Sequence, residues 1–374
     1  MGSFKHRRTL LVAVACCAMA ASGWVASALG AGSFIPDDRG THHAVGGWQL
    51  DQWNFLPPPG GVDAPGAWAL LGAPRTQPGH GVTIAILDSG VAYRNHGAAR
   101  RDPDLAGVPF VHPRDFVDGD RWPLDVNGHG THLAATIAEA TNNRLGLTGL
   151  AYGARVMPIR VLNSHLHGSA TTLARGIRYA WRNGADVINL SLTFTPAIKR
   201  CAQIESVCKA IAAATHHGAL VIAAAGNDHL GHPGMPAAAP KAVSVGATTL
   251  RGCLADYSDR GADLLAPGGG RDAAVAANPS CDSAATDDPG ITQYAVTRHV
   301  DGNRFGYVEL EGTSQAAAEA SAIAALVISS HVALHPSGPG AVAHRLECTA
   351  APGDGWAHRG LVDAARAVDP RVRC

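Results

Sequence analysis

Charged and aromatic side chains are scarce in this sequence of 374 residues. Asp, Glu, Lys and Arg make up 16% of it, aromatic residues make up 5%, and the formal net charge is zero. Because no stripe of lysine and arginine is present, the electrostatic footprint of a nucleic-acid-binding protein is missing, and we expect no nucleic-acid partner. Hydrophobic residues make up 46%, which suffices for a sizeable core and argues against global disorder.

Three short patterns are also missing. The cysteines outside the first 28 residues show no C-x-x-C spacing, which disfavours a zinc site built from them. No glutamate lies between His129 and His132 in the order that an H-E-x-x-H zinc site requires. No G-x-S-x-G turn follows an apolar run, which disfavours an esterase with that type of nucleophile.

The N-terminus has the pattern of an export signal. A basic segment at 1–8 precedes an apolar stretch at 9–30, and small residues at 26–28 fit a cleavage site. We therefore expect residues 1–28 to be a signal peptide, the mature protein to be secreted or periplasmic, and no stable membrane association after cleavage. The apolar stretch is just long enough to span a bilayer, so an uncleaved anchor is the alternative.

The cysteine pattern agrees with export. Two cysteines lie within the signal, and six cysteines, which allow fifteen pairings, lie outside it. Proximity along the chain favours three local disulfides, which are Cys201–Cys208, Cys253–Cys281 and Cys348–Cys374.

Apolar runs alternate with helical spacing after a short polar, Gly/His-rich segment at 29–47, which we interpret as a linker. The apolar runs lie at 82–88, 155–162, 185–192, 219–226 and 241–247. Helical spacing covers 131–141, 170–184 and 204–218. This alternation predicts one α/β domain over 48–374, with a mostly parallel central sheet and helices on both faces.

Chemistry in such sheets lies at the carboxyl ends of strands. Asp88 ends the first strong apolar run, His129 lies between glycines before a helix, and Asn227 follows the fourth run. Ser314 begins the last long apolar helix. Singly, Asp88 could cap a turn and Asn227 could form one. Together they supply a carboxylate, an imidazole base, an amide donor and a hydroxyl nucleophile, which are the groups that acyl transfer requires.

The motifs that carry these residues resemble those of the subtilisin-like serine proteases, or subtilases, of the secreted bacterial type. They are "ILDSGV", "GHGTHLA", "NLSL", "AAAGN" and "GTSQAA", and the catalytic residues follow the chain order of subtilisin. The resemblance covers the chain from about residue 48 and implies a three-layer subtilisin-like fold. It also implies that Ser314 attacks the substrate carbonyl, His129 accepts its proton, Asp88 orients the imidazole and Asn227 binds the oxyanion.

The same resemblance implies a substrate cleft. One wall is formed by Ser191, Leu192 and Thr193, and the other by Ala224 and Gly226. Thr193 replaces a glycine that is usual in the family, and its Cβ is expected to narrow the pocket rim. A second expectation is that Asp228 approaches the pocket floor and favours basic side chains.

A calcium site is also implied, because "ATNNRLGLTGLA" resembles the calcium loop of the family. Oxygen donors at this spacing suit calcium better than zinc; the alternative is a solvated surface loop. The expected ligands are Gln52, Asp104, Thr141, Asn143, Leu145 and Leu147.

The resemblance has departures. Gln315 and Glu319 replace usual residues after the nucleophile, and an insertion covers about 269–309. We expect Glu319 to place a negative charge near the N-terminus of the helix, where it is favourable. The sequence thus predicts a monomeric endopeptidase acting on proteins or peptides without an organic cofactor. An inactive, peptide-binding member of the family is the alternative.

Overall fold

Seven strands form one sheet in the order β2-β3-β1-β4-β5-β6-β7, and every neighbouring pair is parallel. The computed structural model describes residues 34–274, 280–284, 288–299, 303–330, 332, 337–352 and 359–374. The strands are β1 (Thr83–Asp88), β2 (Arg114–Asp115), β3 (Arg155–Arg160), β4 (Val187–Leu190), β5 (Leu220–Ala224), β6 (Ala242–Thr248) and β7 (Leu264–Pro267).

Helices cover both faces of this sheet, which confirms the three-layer α/β architecture. The described α-helices are α1 (Trp48–Asp51), α2 (Ala64–Leu70), α3 (His129–Ala138), α4 (Ala170–Arg182), α5 (Glu205–His216), α6 (Thr313–Ser329), α7 (Pro339–Thr349) and α8 (Ala364–Val368). Short 3₁₀ helices lie at Trp53–Phe55, Pro103–Leu105 and Cys201–Gln203.

The core consists of one large apolar cluster on each side of the sheet. Successive residues of a strand point to opposite faces, so Ile84 and Ile86 of β1 join the cluster that contains α3 and α6. Ala85 and Leu87 join the cluster that contains α4 and α5. All five apolar runs that predicted strands form strands within this sheet, which explains why each run is apolar on both faces.

The structure shortens several predicted elements. The run 185–192 forms a strand only at Val187–Leu190, and the residues that follow leave the ladder at the carboxyl edge. Helix α3 begins at His129 instead of 131 and ends at Ala138. Strand β2 was not among the predicted elements, because its two residues are too few for a hydrophobic period to reveal it.

The insertion predicted at about 269–309 contains most of an antiparallel hairpin. Its strands are β8 (Ile291–His299) and β9 (Asn303–Leu310). Hydrogen bonds attach it to the sheet domain, since Nε1 of Trp53 donates to the carbonyl of Gly290 at 2.9 Å and Nε2 of Gln52 to Oε1 of Gln293 at 3.2 Å. The insertion therefore packs against the N-terminal part of the domain.

The three disulfides expected from proximity are present, which confirms the pairing. Their Cα–Cα distances are 5.7, 5.7 and 5.8 Å for Cys201–Cys208, Cys253–Cys281 and Cys348–Cys374. Each joins segments that are close in the chain, so each closes a local loop.

The described residues begin at Phe34, so the signal peptide predicted at 1–28 lies outside them. Asp38 is fully buried and accepts hydrogen bonds from the backbone N–H groups of Asn142 and Asn143 at 2.8 and 2.9 Å. Asp38 therefore attaches part of the segment 29–47, which composition predicts to be a linker, to the domain, whereas residues 41–45 are exposed. Within the described part of the chain, no helix has the length and apolarity to cross a membrane.

Candidate active site

Four side chains predicted from the motifs lie at the carboxyl edge of the sheet. Asp88 is the last residue of β1, and His129 is the first residue of α3. Asn227 lies in the loop after β5, and Ser314 is the second residue of α6. Parallel strands bring these ends to one edge, although the residues are far apart in the chain.

Asp88 and His129 are in direct contact. Nδ1 of His129 lies 2.8 Å from Oδ1 of Asp88, and the same oxygen accepts a hydrogen bond from the backbone N–H of Ser89 at 2.7 Å. The Asp88 side chain is buried, whereas 14% of the His129 side chain is exposed. The carboxylate therefore holds one ring nitrogen, so that Nε2 is the nitrogen available for proton transfer.

The pKa of His129 is raised above its ordinary value. Burial alone would lower this pKa, but the charge and hydrogen bond of Asp88, together with the charge of Asp125, raise it. Because a base must be neutral to accept a proton, activity that depends on His129 is expected to fall as the pH decreases through this raised pKa.

Asp125, which the sequence analysis did not single out, organises the turn before His129. Its Oδ1 accepts hydrogen bonds from Oγ of Ser89 at 2.9 Å and from the backbone N–H of Gly128 at 2.8 Å. Its Oδ2 accepts from the backbone N–H of Thr131 at 2.9 Å. An aspartate four positions before the histidine is the only sequence signal for this role, and it does not distinguish a turn cap from a surface residue.

Ser314 is half-buried at the start of α6. Its Oγ donates to the carbonyl of Ser191 at 3.0 Å, and Oγ of Ser191 donates to the carbonyl of Ser314 at 2.7 Å. The hydroxyl thus rests against the strand end that was predicted to bind substrate. Catalytic hydrogen bonds are often longer or differently paired without substrate.

Asn227 has its amide oriented by its neighbour Thr313. Oδ1 of Asn227 accepts hydrogen bonds from the backbone N–H and Oγ1 of Thr313 at 3.0 and 2.9 Å. Two donors on the same atom identify it as the oxygen, so Nδ2 is left to donate. A Cβ atom placed on Gly312 would lie 3.4 Å from this Nδ2, which puts the donor beside the nucleophile turn.

The residues predicted to form the cleft lie at the ends of two neighbouring strands, β4 and β5. Ser191 and Ala224 are buried, while Thr193 is exposed at the rim. Cγ2 of Thr193 lies 3.6 Å from the position that a Cβ on Gly226 would take, so the first wall reaches the second there. The structure does not place Asp228 at the pocket floor, because its side chain is exposed.

His132 packs in the core. Its Nε2 lies 3.0 Å from the carbonyl of Ile291, and burial lowers its pKa to about 4. In the described residues, the one set of three possible ligands within 4.8 Å of one another is Cys253, Asp272 and Cys281. Those two cysteines form a disulfide, so this set does not bind a metal through thiolates.

The two unusual residues after the nucleophile are both buried. Glu319 is fully buried, and its Oε1 accepts a hydrogen bond from Nδ2 of Asn54 at 2.7 Å. Burial raises the pKa of Glu319 well above its ordinary value, which opposes the charged form that the expected interaction with the helix dipole requires. Gln315 is 1% exposed, and its amide atoms have no hydrogen-bond partner among the described residues.

The side chains predicted to bind calcium are close together but bonded to one another. Asp104 is fully buried; its Oδ1 accepts from Nδ2 of Asn143 at 2.7 Å and its Oδ2 from the backbone N–H of Leu147 at 2.9 Å. Oε1 of Gln52 accepts from the backbone N–H of Thr148 at 3.0 Å. Thr141 and Leu145 lie in the same loop. Oγ1 of Thr141 is 2.7 Å from Oγ1 of Thr148. The backbone N–H of Leu145 donates to Oδ1 of Asn143 at 2.7 Å.

Three further carboxylates, which the sequence analysis missed, are fully buried around Asp104. They belong to Asp38, Asp102 and Glu139. Among the described residues, three of their oxygens have no hydrogen-bond partner: both carboxylate oxygens of Glu139 and Oδ2 of Asp102. Burial raises the pKa of Asp102 to about 8 and that of Asp104 to about 7. This surplus of buried oxygen acceptors fits a hard divalent cation such as calcium.

Comparisons with known proteins support the motif-based resemblance. The model of the subtilase family matches residues 79–362. A thermophilic serine proteinase of Bacillus sp. (strain AK1) is 33% identical over 256 residues, which are 68% of this chain and 54% of that protein. Thermitase of Thermoactinomyces vulgaris is 39% identical over 209 residues, which are 55% of this chain and 68% of that protein.

A solved structure is also similar over nearly its whole length. It is titled "Proteases from Pseudoalteromonas arctica PAMC 21717" and has a TM-score of 0.69 and 28% sequence identity, covering 90% of this chain and 99% of that chain. The matched part covers about half of the length of the Bacillus proteinase and about two thirds of the length of thermitase.

Proposed function

Because this chain belongs to the subtilase family, we propose that it is a serine endopeptidase that hydrolyses protein or peptide substrates through an acyl-enzyme. In this proposal Ser314 is the nucleophile, His129 the general base, Asp88 its orienting carboxylate and Asn227 the oxyanion donor. The observation that carries the proposal is the 2.8 Å contact between Nδ1 of His129 and Asp88 at the edge where Ser314 begins its helix.

The reaction begins when Oγ of Ser314 leaves the carbonyl of Ser191 and attacks the substrate carbonyl. Nε2 of His129 takes the hydroxyl proton, and the buried Asp88 carboxylate stabilises the imidazolium that forms. Nδ2 of Asn227 donates to the developing oxyanion. The imidazolium then protonates the leaving amine. Water next attacks the acyl-enzyme; His129 accepts a proton from this water and then returns it to Oγ of Ser314.

The substrate backbone is expected to bind as an added strand. Residues 191–193 continue beyond β4 along the cleft, and an extended peptide can form backbone hydrogen bonds with such an edge. Ala224 and Gly226 form the opposite wall, so that the peptide lies between two backbone segments. This arrangement orients the scissile carbonyl towards Ser314 and Asn227.

Labelling with a fluorophosphonate probe tests the nucleophile directly. We expect one covalent adduct on the peptide that contains Ser314, and hydrolysis of casein by the unlabelled protein but not by the labelled protein. Absence of both results would favour the inactive peptide-binding module. Labelling without any peptide hydrolysis would instead favour an esterase.

Replacement of Asn227 by alanine tests the oxyanion donor. We expect kcat to fall by about 10²–10³ with little change in KM, a range taken from removal of the corresponding amide in subtilisin. The measurement is steady-state kinetics on a chromogenic peptide, and Asn95→Ala, in an exposed loop, is the control. A decrease below about threefold in N227A would contradict the assignment, since one lost oxyanion donor has a far larger effect.

We further propose that calcium binds beside the loop after α3. Its ligands would be the side chains of Gln52, Asp104 and Asn143 and the backbone carbonyls of Thr141, Leu145 and Leu147. Support comes from the buried carboxylates around Asp104 and from the unpartnered oxygens of Glu139. A bound calcium ion would neutralise this negative charge and stabilise the loop, and it has no part in the proton transfers described above.

Removal of calcium is expected to lower the melting temperature. At a calcium concentration about 1,000 times Kd, binding stabilises the folded state by about 4 kcal/mol, which corresponds to a shift on the order of 10 °C. Differential scanning calorimetry with calcium or with a chelator measures this shift. Asp104→Asn should reduce it, while Glu205→Gln, on an exposed pair with Lys209, should not. An identical melting curve for the wild-type protein with and without chelator would argue against the site.

Export remains part of the proposal. The segment 1–28 would direct the protein out of the cytoplasm, and the mature enzyme would act as a secreted or periplasmic monomer. N-terminal sequencing of the protein recovered from culture medium or periplasm determines the cleavage site, and size-exclusion chromatography with light scattering determines the oligomeric state.

A further inference from the structure

Asp259 has one carboxylate oxygen that is bonded and one that is not. Oδ1 accepts hydrogen bonds from the backbone N–H groups of Asp228 and Leu230 at 3.1 and 2.7 Å. Oδ2 is buried and has no hydrogen-bond partner among the described residues. The whole residue is 1% exposed. Oδ1 thus holds the loop after Asn227 in place, whereas Oδ2 contributes nothing to that loop.

The unpartnered oxygen lies among residues of the predicted cleft walls. A Cβ atom on Gly226 would collide with Oδ2 of Asp259, and a Cβ atom on Gly234 would lie 3.7 Å from it. The same two positions lie 3.6 and 3.8 Å from Cγ2 of Thr193. Because both glycines lack a side chain, the carboxylate of Asp259 can lie against them, and the methyl group of Thr193 covers it from the other wall.

This space adjoins the groups that would handle the scissile carbonyl. Gly226 directly precedes Asn227, and its N–H donates to Oγ1 of Thr313, next to Ser314, at 3.1 Å. A side chain that enters between the walls from the residue before the cut bond therefore points towards Asp259. If the methyl group of Thr193 moves aside, the subsite for that residue would end at this buried acid.

An unpaired buried carboxylate is unfavourable unless it is neutralised or meets a cation. Burial raises the pKa of Asp259, the N–H groups of Leu230 and Asp228 lower it, and the charges of Asp228 and His232 act in opposite directions. A lysine or arginine side chain of a substrate would supply the missing donor in a site that excludes water, where a charge-assisted hydrogen bond is strong.

We propose that Asp259 makes this enzyme select substrates with lysine or arginine immediately before the cleaved bond. The inference rests on the protease function proposed above and adds the class of substrate. Asp228, which the sequence analysis suggested for this role, is exposed and contributes its backbone N–H instead. Because only one oxygen of Asp259 is free, a bidentate arginine grip is not available, so lysine and arginine should be accepted to similar extents.

A peptide series that varies only the residue before the cut tests the proposal. For the wild-type protein we expect kcat/KM with lysine or arginine to exceed that with leucine, phenylalanine or glutamate by about 100-fold, the scale at which a buried polar group discriminates. Asp259→Asn keeps a carbonyl oxygen for the N–H groups of Asp228 and Leu230. This variant should lose about 100-fold on the basic peptides and less than about threefold on the leucine peptide.

Asp228→Asn is the matched control, because it neutralises the neighbouring exposed carboxylate, and it should retain the basic preference. The rate of fluorophosphonate labelling should be the same in D259N and wild type, which shows that the nucleophile is intact in the variant. A basic preference that persists in D259N would overturn the proposal. Indifference of the wild-type protein to basic residues would also overturn it, without any variant.

The two proposals fail in different ways. Labelling of Ser314 with efficient cleavage after apolar residues would contradict the role of Asp259 and leave the protease function in place. Absence of both labelling and peptide cleavage would contradict the protease function itself, and the inference about Asp259 would fall with it.

Discussion

Replacement of Ser314 by alanine is expected to reduce kcat by about 10⁶, a magnitude taken from loss of the nucleophile in subtilisin. The reason is that Oγ of Ser314 lies against the carbonyl of Ser191 just after β4, whereas the hydroxyl of Thr313, the first residue of α6, is bonded to Asn227. Binding of substrate should persist, because the walls of the cleft do not depend on this oxygen. Residual hydrolysis about 10³–10⁴ above the uncatalysed rate is expected from the oxyanion donors and substrate binding alone.

Kinetics on a chromogenic peptide, together with a direct binding measurement on S314A, check this result. Ser330→Ala is the control, since Ser330 lies just after the C-terminal end of the same helix and bonds only to nearby backbone groups. S330A should retain wild-type kcat. If S314A kept more than about one hundredth of the wild-type kcat, the acyl-enzyme mechanism would be wrong, because covalent catalysis through one nucleophile cannot survive its loss.

Replacement of Asp88 by asparagine is expected to reduce kcat by about 10⁴, the effect of this change in a related catalytic triad. The shape of the side chain is kept, but the amide can donate to Nδ1 of His129 and stabilise the wrong tautomer. The negative charge that raises the pKa of His129 is also lost. Burial, which lowers that pKa, then dominates.

The pH profile of D88N separates these effects from simple unfolding. In the wild-type protein kcat/KM should fall as the pH decreases through the raised pKa of His129, because the protonated ring cannot accept a proton. In D88N this acidic limb should move to lower pH, even though the plateau is much lower. An acidic limb at the same pH in both proteins would show that Asp88 does not set the protonation of His129.

The apolar runs and the order of the motifs were enough to predict most of the fold and to select the candidate catalytic residues. Continuous apolar runs such as 82–88 and 219–226 predicted buried parallel strands, because only strands covered on both faces lack polar residues at alternate positions. Gly–His–Gly before a helix and the small residues after Ser314 identified the candidate base and nucleophile. Strand β2 carries too few residues for periodicity to reveal it, and the strands of the hairpin β8–β9, although longer, have too mixed a pattern.

The surroundings of each site residue could not be predicted in the same way. Asp125 contacts Ser89 and Thr131, and Glu319 contacts Asn54. Glu319 and Asn54 are 265 positions apart in the chain. A carboxylate has the same letter in the sequence whether it is solvated or buried, so neither its partner nor the direction of its pKa shift is visible there. The burial of Glu319 was not anticipated for this reason.

The sequence by itself predicted the α/β class, proposed the residues of the candidate triad and the amide of Asn227, and favoured the three local disulfides. These features depend on local patterns or on proximity along the chain. Tertiary structure alone decided that Asp259 lies against Gly226 with one carboxylate oxygen unpartnered, and that Asp38, Asp102 and Glu139 surround Asp104. Burial and hydrogen bonding depend on which distant segments meet, and only the folded chain fixes those contacts.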